Sequence, residues 1–218
     1  MKPSNTLSLG LAVLALAGCG GGKKSAATTQ ASNGSTSVCE NAVAHTHPNG
    51  GYPNKNLKLD PSKTYRLVFE TNCGDFTITL DPKVAPHATG SLVSLARRGF
   101  FKDTFFHRIV PGFVIQGGDP TGTGLGGPGY KTHDSVPADA SYTHGVAAMA
   151  KSGADPAGTA GSQFFVVTGQ DAGLTPDYAV VGKVTSGLDV VDKIGKLGDT
   201  QQRPTESVVI KNVRVETS

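Results

Sequence analysis

The 218-residue chain has no tryptophan, only two methionines and three cysteines, and it lacks the marks of several large functional classes. It has no dense block of lysine and arginine with interleaved aromatics, and its net charge of +3 is mild, which argues against nucleic acid as a partner. Ser162 is not framed by a Gly-x-Ser-x-Gly elbow, which argues against a serine hydrolase. The glycine-rich run from Gly117 to Gly129 is followed by neither a Lys-Ser/Thr pair nor a helical pattern, so it reads as a surface loop rather than a phosphate cradle. His45 and His47 sit in a Pro/Gly/Asn-rich loop and read as solvated side chains, not as a metal set with Cys39. The apolar run from Leu7 to Ala17 is too short to cross a bilayer as a mature helix.

That apolar run has instead the form of a signal peptide, with Met1-Lys2-Pro3 ahead of it and Leu16-Ala17-Gly18-Cys19 at its end. The last four residues resemble a bacterial lipobox. The resemblance implies lipid on the Cys19 sulfur, cleavage that leaves Cys19 as the first mature residue, and an extracytoplasmic protein anchored by lipid to the bacterial cell membrane. An ordinary secretory signal with an incidental cysteine is the alternative. From Gly20 to Ser37 no apolar residue larger than alanine occurs, so this stretch cannot bury enough surface to order itself and reads as a flexible tether. The expected organisation is a signal peptide over 1–19, a tether over 20–37, an extended segment over 38–64 and one folded domain over 65–218. Cys39 and Cys73 form an even pair, a candidate disulfide in an oxidising compartment, with two independent thiols as the alternative.

From Tyr65 the pattern changes. Tyr65, Leu67 and Phe69 alternate with Arg66, Val68 and Glu70, and beyond the turn residues Asn72 to Asp75 the alternation resumes at Phe76, Ile78 and Leu80, which predicts a β-hairpin. Pro86 can open a helix, Leu92, Val93, Leu95 and Ala96 have helical spacing, and Arg97-Arg98-Gly99 closes it. Strand-like runs follow at 113–116, 146–149, 163–168, 179–184 and 208–215, with one further helical stretch carrying Leu188, Val191 and Ile194 on one face. Many short strands and two helices predict a closed, capped barrel, because closure removes unpaired strand edges.

The richest segment runs from Phe106-His107-Arg108 through Pro111-Gly112-Phe113-Val114 to Gln116-Gly117-Gly118-Asp119. With Gly145-Val146 through Met149-Ala150 and Gly161-Ser162-Gln163-Phe164-Phe165, in that order, it resembles the signature of the cyclophilin family of peptidyl-prolyl cis/trans isomerases, over about Tyr65 to Val215. The resemblance implies a mainly β fold, a closed antiparallel eight-stranded barrel capped by two α-helices. It also implies rotation of X-Pro bonds in proline-containing polypeptide clients, with no cofactor and no metal, by a monomer. Arg108 would be the catalytic cation. Phe113, Val114, Met149, Phe165 and Leu174 would wall the proline ring, Gln116 and Gln163 would contact substrate backbone, and Ala150, Lys151 and Tyr178 would also meet the peptide. His107 reads as a structural hydrogen-bonder, since the reaction transfers no net proton. A non-catalytic module that holds proline-containing chains, as chaperone or scaffold, is the alternative.

Four positions depart from the family's best-known pattern. Gly173 stands where cyclosporin-sensitive members carry Trp, Tyr178 where many have His, Lys151 where many have Asn, and Val114 where Met is frequent.

Overall fold

The computed structural model describes residues 37–54 and 57–218, so Cys19 and the expected signal peptide lie outside the described residues. Strands β1 (Tyr65–Thr71) and β2 (Gly74–Leu80) make an antiparallel hairpin in which Phe69 pairs with Phe76. The two rings stack with centroids 4.8 Å apart. Period-two alternation buries Leu67, Phe69, Phe76 and Ile78 and leaves Arg66, Thr77 and Thr79 partly exposed.

Helix α1 (Pro86–Arg97) begins at a proline, which needs no donor there. Ala85 before it offers no side-chain cap. Asp134 supplies one from a distance, its buried carboxylate accepting from the N–H groups of His87 at 2.9 Å and Ala88 at 2.8 Å. That charge also suits the positive end of the helix dipole.

The remaining elements are β3 (Thr104–Phe105), β4 (Arg108–Val110), β5 (Val114–Gly117), β6 (Thr132–His133), β7 (Val146–Met149), β8 (Thr159–Ala160) and β9 (Phe164–Val167). β10 (Val180–Ser186), α2 (Leu188–Gly195) and β11 (Val209–Thr217) complete the chain. Nine strands form one antiparallel sheet in the order β3-β11-β1-β2-β10-β7-β9-β5-β4, and β6 pairs with β8 in a second, two-stranded sheet.

The expected closed eight-stranded barrel is therefore corrected to a strongly curled nine-stranded half-barrel with two helices. The edge strands β3 and β4 are separated by only Phe106 and His107 in sequence, so covalent connection holds the two edges near each other. No ladder joins them, because the backbone there bonds elsewhere. The Phe106 N–H donates to Val208 O at 3.0 Å and the Ile109 N–H to Gln202 O at 3.0 Å, so the 202–208 segment spans the gap.

Curling gives the sheet an inside and an outside. Phe69, Phe76, Phe100, Phe101, Phe106 and Phe164 fill the interior, closed by Leu92 and Leu95 of α1 and Val191 and Ile194 of α2. On the outer face of β5, β9 and β7, Val114, Phe165, Val167, Val146 and Ala148 form a second cluster with Tyr142. β9 serves both, Phe164 and Val166 facing in and Phe165 and Val167 facing out.

Candidate active site

Register builds the site. Arg108 pairs with Gln116, Gln116 with Phe165, Phe165 with Ala148 and Ala148 with Val180. Residues opposite one another share a face, so one row of side chains crosses β4, β5, β9, β7 and β10 on the outer surface. At its polar end the side chains are tied together. Arg108 Nη1 donates to Gln116 Oε1 at 3.3 Å, Gln116 Nε2 to Gln163 Oε1 at 3.1 Å, and Gln163 Nε2 to the carbonyls of Gly124 at 2.9 Å and Gly126 at 3.0 Å. Arg108 Nε donates to Gln202 Oε1 at 2.8 Å, and its guanidinium lies 5.9 Å from the centroid of the Phe113 ring. Burial lowers the pKa of Arg108 and Tyr178 opposes this, but the guanidinium stays cationic at every accessible pH.

Beside the cation lies an apolar hollow. Val114 and Phe165 form its buried floor, and the half-buried Phe113, Leu174 and Tyr178 stand against them. Tyr142 supports the floor from below. Its hydroxyl donates to Tyr178 O at 2.8 Å and accepts from Tyr178 N–H at 3.0 Å, while the Phe165 and Tyr178 rings meet edge-on with centroids 5.5 Å apart.

Beyond the glutamines the surface opens into a polar cleft of about 420 Å³, lined by Gln116, Gln163, Ala150, Lys151, Lys131 and Asn49 among others. Lys151 Nζ donates to Asp155 O at 3.1 Å and lies 5.5 Å from the Tyr178 ring centroid. The far wall is the 119–129 loop, organised by the buried Asp119. Its carboxylate accepts from Thr121 N–H at 2.7 Å, Thr121 Oγ1 at 2.8 Å, Gly124 N–H at 2.6 Å and Gly126 N–H at 3.1 Å. Burial alone would raise the Asp119 pKa, and the donors from Thr121, Gly126 and Gly124 together bring it below its ordinary value. The arrangement thus offers a fixed cation and polar arms between an apolar hollow and an open cleft. That is enough to grip an extended peptide and polarise one of its amides.

Arg108, Phe113, Val114, Gln116, Gln163, Phe165, Leu174 and Tyr178 come together, with Ala150 and Lys151 at the cleft. Met149 does not join them. It is fully buried in the interior cluster, because β7 presents Ala148 to the outer face and so must turn its neighbour inward. His107 departs too: neither ring nitrogen meets a hydrogen-bond partner among the described residues. Burial pushes its pKa down, Asp119 opposes this and Arg108 adds to the lowering, which favours the neutral ring. Gly173 is exposed at φ +61°, with open space around it. Cys39 is bonded to Cys73, with Cα atoms 4.2 Å apart. Sequence reasoning missed Gln202, which holds Arg108 from 94 residues away, and Tyr142, an isolated aromatic in a loop without any pattern to single it out.

Residues 66–215 match the model of the cyclophilin type peptidyl-prolyl cis-trans isomerase/CLD family. A peptidyl-prolyl cis-trans isomerase-like 1 protein of Aspergillus oryzae is 38% identical over 154 residues, covering 68% of this chain and 94% of the relative. A peptidyl-prolyl cis-trans isomerase of Helicobacter pylori is 39% identical over 168 residues, covering 71% of this chain and 98% of the relative. A cyclophilin type isomerase of Cryptosporidium parvum, solved in the presence of the dipeptide Ala-Pro, superposes with a TM-score of 0.64 at 31% identity, covering 69% of this chain and 98% of that one.

Proposed function

We propose that this chain, which belongs to the cyclophilin type peptidyl-prolyl cis-trans isomerase family and is an enzyme of that class, rotates X-Pro bonds in exported or cell-surface proteins, with Arg108 stabilising the twisted amide. The observation that carries the catalytic part is the junction at Arg108. A cation tied through Gln116 and Gln202 stands at the edge of an apolar hollow floored by Val114 and Phe165.

The chemistry follows from the amide. Nitrogen donates its lone pair into the carbonyl, which sets a rotation barrier of roughly 18–20 kcal/mol. Twisting the bond localises that lone pair on a pyramidal nitrogen. A guanidinium N–H hydrogen-bonds the localised pair better than the delocalised one, so it lowers the barrier selectively. The floor of Val114 and Phe165 excludes water and strengthens the interaction. Uncatalysed rotation takes tens to hundreds of seconds. Turnover at about 10–1,000 per second therefore needs roughly 4–7 kcal/mol of selective stabilisation, of the order of one charged hydrogen bond plus positioning.

The setting outside the cytoplasm rests on the Leu16-Ala17-Gly18-Cys19 run, and the Cys39–Cys73 bridge supports it, because disulfides persist in oxidising compartments. Cys19 is the lipid attachment site in this reading. Cys19→Ala should leave the membrane fraction, and an unlipidated amino terminus elsewhere in the chain would refute the anchor. The catalytic reading is tested by a protease-coupled isomerisation assay with peptide affinity measured in parallel. Arg108→Ala should lose rate far more than affinity. A folded Arg108→Ala chain with near full activity would leave the groove as a binding module for proline-containing chains.

A further inference from the structure

Residues 38–54 precede the stretch that matches the family, yet they are bonded into the wall of the cleft. The segment is fastened at its start by the Cys39–Cys73 bridge and by the Glu206 carboxylate, which accepts from the N–H groups of Val38 and Cys39. At its end the Tyr52 ring meets Phe100 edge-on, with centroids 4.7 Å apart. Between these anchors it follows the 119–129 loop. His47 N–H donates to Pro120 O at 2.7 Å, Gly50 N–H to Gly127 O at 2.9 Å and Tyr52 N–H to Pro128 O at 3.1 Å.

One side chain of the segment does something different. Asn49 Oδ1 accepts from the Gly127 N–H at 3.0 Å. That N–H belongs to the same peptide unit as the Gly126 carbonyl, which accepts from Gln163 Nε2 at 3.0 Å. Asn49 and Gln163 therefore grip opposite ends of one planar amide. Such a unit rotates as a rigid plate, so fixing its N–H fixes the direction of its C=O. Glycine lies on both sides of this amide, and without side chains the backbone there has the widest conformational freedom. A substituent at Gly126 would sit 2.1 Å from Asp119 Oδ1, so no bulkier residue can take over the restraint.

We propose that Asn49 is a positioning residue for the isomerase groove. By holding the Gly126–Gly127 amide it fixes the acceptor that orients Gln163, and through Gln163 and Gln116 it sets the guanidinium of Arg108. This rests on the reading of Arg108, Gln116 and Gln163 as the working side chains. The segment outside the family match is then part of the active site's support, although it touches neither the proline hollow nor Arg108.

The test compares full-length Asn49→Ala and Asn49→Asp with the unmodified chain on a proline-containing tetrapeptide, resolving kcat from KM. Thermal melting and the side-chain amide NMR signals of Gln163 are recorded alongside. Asn49→Ala should lower kcat about threefold to tenfold, the loss expected for one neutral hydrogen bond, and change KM by less than about twofold. Its melting temperature should hold, since the segment keeps its backbone bonds and both anchors. A carboxylate oxygen also accepts from an N–H, so Asn49→Asp should restore kcat. The Gln163 signals should shift in the alanine variant and return in the aspartate one. The proposal is overturned by an alanine variant with unchanged kcat and unmoved Gln163 signals, or by a folded aspartate variant that restores neither. An active Asn49→Ala chain beside an inactive Arg108→Ala chain defeats this proposal alone. An active Arg108→Ala chain defeats the catalytic reading beneath it.

Discussion

The apolar hollow and the polar cleft meet at Gln116 and Gln163 but are held by different means. The hollow is built on strands: Val114 and Phe165 lie on β5 and β9, and ladder register alone brings them to one face beside Arg108. The cleft is built on loops rich in glycine, so Asp119, Gln163, Asn49 and the bonds of residues 47–52 must supply the order that a ladder would have given. Strand-borne features should therefore fail locally when cut, whereas loop-borne ones should fail through loss of their ties.

The largest effect is expected at the junction. Arg108→Ala should cost roughly 3–4 kcal/mol of transition-state stabilisation, a fall of about a hundredfold to a thousandfold in kcat/KM. Arg108→Lys should rescue little, since an ammonium lacks the planar fork. Equal losses in peptide affinity and rate would mean that Arg108 binds rather than catalyses. Next comes the tie at the start of the cleft segment. Removing the Cys39–Cys73 bridge, which closes a separation of 34 residues, should reduce stability by about 3–4 kcal/mol in chemical denaturation. Because residues 47–52 keep their own backbone bonds to the 119–129 loop, kcat/KM of the folded variant should stay within about twofold, and a collapse of activity without unfolding would mean that the bridge itself holds Asn49 in place.

Phe113→Ala attacks the hollow from its half-exposed wall. It should weaken affinity and rate together, by about tenfold, because the proline ring loses the same apolar face in both states. A loss confined to kcat would place Phe113 with the cation rather than with the wall. The smallest effect concerns pH. His107 has its pKa depressed by burial, so in acid the unfolded chain binds the proton first. Its share of stability is fully present above about pH 6.5 and is lost as the pH falls through that value toward the lower folded pKa. Asp119, also depressed, loses its share only as the pH falls below the ordinary carboxylate value. Melting temperature should therefore decline between about pH 7 and 5, while kcat/KM stays flat from about pH 7 to 9. A His107→Phe chain with the same decline would assign it to another group.

Much of the hollow was legible only through resemblance: the Phe-His-Arg to Gln-Gly-Gly-Asp run and Gly161-Ser162-Gln163-Phe164-Phe165, similar to the cyclophilin signature, imply its residues. The hairpin of β1 and β2 was legible from period-two alternation, and helix α1 from its opening proline, its helical spacing and its closing glycine. Strand β4, only Arg108–Val110, is too short to show a period, so the direct pairing of Arg108 with Gln116 was hidden. Met149 was misassigned although the signal existed: strand alternation allows Ala148 or Met149 outside, never both. Gly173 carries a similar lesson. A tryptophan grafted there to strengthen cyclosporin binding would meet a left-handed backbone at φ +61° as well as open space. What no local pattern could reveal are the partners joined only by folding: Asp134 to the start of α1, Gln202 to Arg108 and Asn49 to Gly127.

The place of β11 in the sheet sets a schedule for assembly. Residues Val209–Thr217, the last strand in chain order among the described residues, insert between β1 and β3, pairing Tyr65 with Thr217 and Val209 with Phe105. Until they arrive, the first hairpin has one side bare and the edge strand that leads into Arg108 has no neighbour. The same strand therefore braces both the first hairpin and the segment that leads into Arg108. Pairing the two ends of a domain is slow because the intervening loop must close first.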